Sequence, residues 1–90
     1  MSSEDEKGRL IFPCEYALKI IGSNSQVFEE QMLVLLRQHF PMIGEGAVKL
    51  RLSSEQKYLA LSVTLWVEHK ETLDNLYQEL STHPLVLFAL

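Results

Sequence analysis

Ten consecutive residues, Tyr58 to Val67, alternate without a break. Leu59, Leu61, Val63, Leu65 and Val67 form an aliphatic face, and Tyr58, Ala60, Ser62, Thr64 and Trp66 form a mixed one. Successive side chains of an extended strand point to opposite sides, so this run is a strand with one dry face. A strand of that length needs paired neighbours and a layer to cover its aliphatic side.

The rest of the chain supplies both. Glu15 to Ile21 reads as a first strand in which Lys19 sets the facing: Tyr16, Leu18 and Ile20 inward, Ala17, Lys19 and Ile21 outward. Gly22, Ser23, Asn24 and Ser25 are turn formers that end it, and any of the last three can cap a helix. That helix runs over 26–39, with Phe28, Met32, Leu35 and Leu36 as its buried stripe. Leu33 and Val34 widen the apolar surface, Pro41 ends the segment, and Gly44 and Gly46 mark a mobile or tightly turned loop.

Between 47 and 52 the chain alternates again, Val48, Leu50 and Leu52 against Lys49 and Arg51. After the long strand, Leu73, Leu76, Tyr77 and Leu80 fall at helical spacing over 70–81. His83-Pro84 breaks that helix, and 85–90 is a last apolar strand. The order strand, helix, strand, strand, helix, strand predicts an α+β, ferredoxin-like βαββαβ fold: a four-stranded antiparallel sheet with two helices on one face. Its first and third strands are central, its second and fourth are edges, and its other face is open.

Hydrophobic residues make up 47% of the chain and charged residues 22%, the balance of a globular domain rather than a disordered chain. Residues 1–9 are polar and acidic and read as a flexible tail, neither secretory signal nor transit peptide, leaving 10–90 as one domain. The longest interior apolar run, Met32 to Leu36, is far short of the ~20 residues a membrane-spanning helix needs. One cysteine, Cys14, closes no internal disulfide, which together with the tail points to the cytoplasm. Twelve acidic against eight basic residues give a net charge of −4, which argues against nucleic acid as partner.

No acid–base or nucleophile pair can be named, so no enzymatic activity, metal or cofactor is expected. His39, His69 and His83 share no ligand spacing and read as surface or capping histidines. Cys14 lacks the neighbours that would activate a thiol. Three surfaces carry functional expectations instead. Gly22, Ser23, Asn24 and Ser25 combine hydroxyls with the start of a helix, a place for a ligand carboxylate. Lys19, Lys49 and Arg51 should gather on the open sheet face beside Ser62, Thr64 and Trp66, an alternative site for single-stranded RNA or another anion. Leu85 to Leu90 is an edge strand with no charge, proline or glycine, a liability if bare. Either a second copy pairing through Val86, Leu87, Phe88 and Ala89, or the N-terminal segment, is expected to cover it.

Phe12-Pro13, the strand end Lys19-Ile20-Ile21-Gly22, the Ser53-Ser54 to Tyr58 hairpin, Ser62-Val63-Thr64 and Leu76-Tyr77-Gln78-Glu79-Leu80 recur in this order. In them the chain resembles the YbeD-like family of small bacterial proteins over about residues 11–90. One departure is the hairpin, where the family often carries a glycine just before the tyrosine and this chain has Glu55-Gln56-Lys57. The resemblance implies a fold similar to ACT-type regulatory domains, which bind small effectors at a subunit interface near the loop after the first strand. Gly22 is the residue matching that loop. The combined expectation is a small, non-enzymatic regulatory or ligand-binding domain that senses a metabolite or docks on a partner protein.

Overall fold

A computed structural model describes residues 11–90; the expected tail at 1–9 lies outside them. The elements are β1 (Cys14–Ser23), α1 (Gln26–His39), a 3-10 turn (Glu45–Ala47), β2 (Val48–Leu52), β3 (Tyr58–Val67), α2 (Lys70–Thr82) and β4 (Val86–Ala89). All strand pairs are antiparallel and the sheet order is β2-β3-β1-β4. The fold is the ferredoxin-like βαββαβ arrangement, with the two longest strands in the centre.

Those strands pair over their whole length, from Cys14 opposite Val67 to Ser23 opposite Tyr58. Leu18 and Ile20 thus share a face with Leu61, Val63 and Leu65, all essentially solvent-free. Phe28, Met32, Leu35 and Leu36 of α1 and Leu73, Leu76 and Leu80 of α2 close over them as one core. Each large side chain buried in this way contributes about 1.5–3 kcal/mol. Ser25 caps α1, its Oγ accepting the Phe28 amide hydrogen at 3.0 Å. Near the margin of this layer Tyr16 of β1 and Tyr77 of α2 meet hydroxyl to hydroxyl at 2.7 Å, with rings edge to face at 6.3 Å.

Four local features depart from the sequence pattern. β1 does not stop at Gly22: Gly22 and Ser23 remain in the strand, opposite Leu59 and Tyr58. The reason is steric. Gly22 faces the helices, and a Cβ there would lie 2.6 Å from the Leu85 carbonyl oxygen and closer still to the Phe28 ring. Glycine is present to let Phe28 and the β4 entry approach the strand, not to turn it. Secondly, Leu50 and Leu52 face the helix side, opposite Leu61 and Leu59, yet are 46% and 44% exposed, because β2 overhangs the helix layer.

Thirdly, β4 covers only Val86–Ala89, and its register against β1 shifts between Ile21 and Gly22. Leu90 lies beyond the strand but still exchanges backbone hydrogen bonds with Lys19, at 3.1 and 2.8 Å. Lastly, Gln56 takes the left-handed conformation, with φ 61°, in the hairpin before Tyr58. The loop carrying Gly44 and Gly46 is tightly turned, Ala47 donating to the Gly44 carbonyl at 3.1 Å.

Candidate functional site

The register assigns the open face row by row. Opposed residues point to the same side, so Ile21 and Ala60 stand beside Arg51, and Lys19 and Ser62 beside Lys49. Phe88, opposite Ile21, extends the first row onto β4. Ala17 and Thr64 make the next row, and Glu15 and Trp66 the last. The six residues expected on this face, Lys19, Lys49, Arg51, Ser62, Thr64 and Trp66, are indeed on it together. Lys49 and Arg51 are two residues apart on one strand, about 7 Å, and Lys19 lies two strands over, about 10 Å.

The face has two characters. Around Lys19 and Lys49 it is a broad, mixed depression floored by Ala17, Ser62 and Thr64, with Glu15 and Trp66 toward its far end. Beyond the Lys19 row it becomes an apolar trough of about 520 Å³. Ile21 and Ala60, half-buried, form the floor. Tyr58, Leu87 and Phe88 form the walls and are roughly half exposed, at 46%, 54% and 48%. Arg51 stands at the rim. Among the described residues, neither lysine nor Arg51 has a carboxylate within 4 Å. At about 7 Å in water two such cations repel by roughly 0.6 kcal/mol, so an arriving anion relieves as well as attracts.

The loop after β1 is differently arranged. Gly22 is packed against Phe28, and Ser23 is paired in the strand. Asn24 donates its amide to the Lys57 carbonyl and its side chain to the Gln56 carbonyl, both at 2.9 Å. Ser25 holds the Phe28 amide. The hydrogens of Asn24 therefore tie the start of α1 to the β2–β3 hairpin, and that of Phe28 is taken up by the helix's own cap.

The histidines are dispersed. His39 pairs with Glu79 across the helices. His69 precedes α2 without a side-chain cap, and the His83 ring nitrogen Nδ1 accepts the Leu85 amide at 3.1 Å. Among the described residues no three His, Cys, Asp or Glu side chains gather as a metal site. Cys14 is half-buried. Burial, and secondly the bond to Tyr16, push the Tyr77 hydroxyl above the ordinary tyrosine range. No helix among the described residues is long and apolar enough to cross a membrane.

Sequence reasoning missed the trough as a unit. Its floor was readable, since an outward Ile21 on a central strand beside Ala60 follows from parity alone. Its far wall was not, because β4 is apolar at every position and its facing depends on the register shift.

Comparison with known proteins supports this fold and adds a family. A family model described as "Protein of unknown function (DUF493)" matches residues 7–90. A UPF0250 protein of Chromobacterium violaceum is 39% identical over 87 residues, covering 96% of this chain and 98% of that one. A UPF0250 protein of Neisseria gonorrhoeae is 36% identical over 91 residues, covering all of both chains. Among solved structures, the solution structure of protein HP0495 from H. pylori superposes with a TM-score of 0.63 at 21% identity, covering 100% of this chain and 94% of that one.

Proposed function

This chain belongs to the DUF493 family, as the resemblance to YbeD-like proteins implied, and we propose that it works as a non-enzymatic docking module. Its open sheet face receives a partner-protein segment in which acidic residues flank an apolar side chain. The observation that carries this reading is the apolar trough of Ile21, Tyr58, Ala60, Leu87 and Phe88 set directly against Arg51, Lys49 and Lys19. An apolar anchor would fill the trough and carboxylates would meet the cations, the anchor giving affinity and the charges giving register and on-rate. The chain's net charge of −4 already includes these three cations, so the rest of it is more acidic still and would discourage acidic segments from settling away from this face.

The small-effector reading, centred on Gly22 to Ser25, has less support because Asn24 and Phe28 already donate within the protein. Stacking of single-stranded RNA is likewise less well supported. Tyr58 and Trp66 stand eight residues apart on one strand, about 26 Å, too far for adjacent bases.

Fluorescence anisotropy with a labelled peptide alternating Glu or Asp with Leu or Phe tests the proposal. Binding that weakens as salt rises, falls at least tenfold in Arg51→Glu and is absent for a Lys-for-Glu control peptide is the expected result. Equal binding of both peptides, or of wild type and Arg51→Glu, overturns it. Short RNA and small organic acids in the same assay give the two rival readings their chance.

A further inference from the structure

The charges of the open face are sorted by sign. Lys19, Lys49 and Arg51 lie toward the trough. At the other end Glu15 stands opposite Trp66, their Cβ atoms about 5 Å apart, and Glu68 follows two residues on, just past β3. Among the described residues neither carboxylate has a cation within 4 Å. Trp66 is 60% exposed and is the chain's only tryptophan. It borders two depressions, the broad one it shares with Glu15 and a cavity of about 400 Å³ lined by Met42, Ile43 and Glu68. A bare indole between two unpaired carboxylates suits a cation, above all a guanidinium, which stacks on the ring while its N–H groups reach carboxylate oxygens. Trp66 is six residues from Ala60 along β3, about 20 Å from the trough floor.

Building on the docking reading, we infer that the docked partner segment is bipolar. Its acidic-apolar end fills the trough, and an arginine about six residues away covers Trp66 between Glu15 and Glu68. Both ends of the segment then meet opposite charge, which sets how it lies on the sheet and rejects segments that are acidic throughout. Charge also separates this occupant from the chain's own surfaces. A second copy laid face to face, with each acidic end on the other's cationic end, needs a two-fold axis between the Ser62 and Thr64 rows. Lys19 and Lys49 of both chains would gather beside that axis, four cations with no carboxylate in their rows. Residues 1–10 carry the run Glu4-Asp5-Glu6, but no large apolar side chain between Met1 and Leu10 to seat in the trough beside it. An extended partner segment meets neither obstacle.

Titration calorimetry and tryptophan emission with two peptides are the test. Each peptide has Leu between two Glu residues at one end and, about six residues from that Leu, either Arg or Gln. Both are made in the two chain directions. In the better-bound direction the Arg peptide is expected to bind at least threefold more tightly than the Gln peptide, and to shift an emission that reports on Trp66 alone. Trp66→Thr removes that advantage and Glu15→Gln reduces it at least twofold; both positions are exposed, so the fold is kept. Equal affinity of the two peptides, an unmoved emission, or an advantage that either variant leaves intact overturns the inference and leaves the docking reading standing. So does a free chain whose emission is already that of a covered indole, whether a second copy or residues 1–10 cover it. Binding of neither peptide refutes the docking reading and this inference with it.

Discussion

Replacing Gly22 with alanine tests the steric argument for this glycine at the scale of one methyl group. The added Cβ would lie 2.6 Å from the Leu85 carbonyl oxygen, where real contacts stay beyond about 3.0 Å. It would overlap the Phe28 ring more severely still. Neither neighbour yields easily, since Phe28 is fully buried and Leu85 contributes backbone at the entry to β4. Gly22 has no positive φ, so no left-handed strain enters, and the cost is overpacking alone, about 2–3 kcal/mol. For a domain of this size that lowers Tm by about 10–16 °C and moves the urea midpoint without changing the m-value. Because Phe28 is half of the clash, Phe28→Leu in the same chain should recover at least about 1 kcal/mol relative to additivity. A Gly22→Ala protein within about 0.5 kcal/mol of wild type, or full additivity with Phe28→Leu, refutes the reasoning.

Three further outcomes follow from the same geometry. Gln56→Gly relieves a left-handed φ of 61° and should stabilise the protein by up to about 1 kcal/mol in urea denaturation. Tyr77 keeps its proton in the fold above the value near 10 at which it ionises when unfolded. The stability tied to it is thus whole below pH about 10 and declines as pH rises from there toward the raised folded value. Urea midpoints measured across that window should fall more in wild type than in Tyr77→Phe. Lys49→Glu should reduce acidic-peptide affinity by about tenfold while leaving thermal stability within about 0.5 kcal/mol, since Lys49 is exposed and unpaired among the described residues.

Period-2 alternation placed β3, β2 and the facing of Lys19, and from that parity the gathering of Lys19, Lys49 and Arg51 on one face was legible before any coordinates. A helix cap among Ser23, Asn24 and Ser25 was legible from their residue types, but that Ser25 is the one that caps came only with the structure. Gly22 was not, because a glycine that permits close packing and one that permits a turn look identical in sequence; the difference lies in Phe28 and Leu85, six and 63 residues away. The trough was hidden because its walls come from both ends of the chain, and because a strand apolar on both sides has no readable facing. Exposure of Leu50 and Leu52 was hidden too, since alternation tells which side a residue faces but not whether a helix reaches that far.

The open sheet face, rather than the loop after β1, is proposed as the working surface. An amide NMR titration of the labelled chain with the acidic-apolar peptide addresses it most directly. Shifts are expected at Arg51, Ala60, Ser62 and Phe88 that diminish with salt, with little change at Ser25, Phe28 and Lys57. Shifts centred on Asn24, Ser25 and the first turn of α1, with Ala60 and Phe88 unmoved, would contradict it.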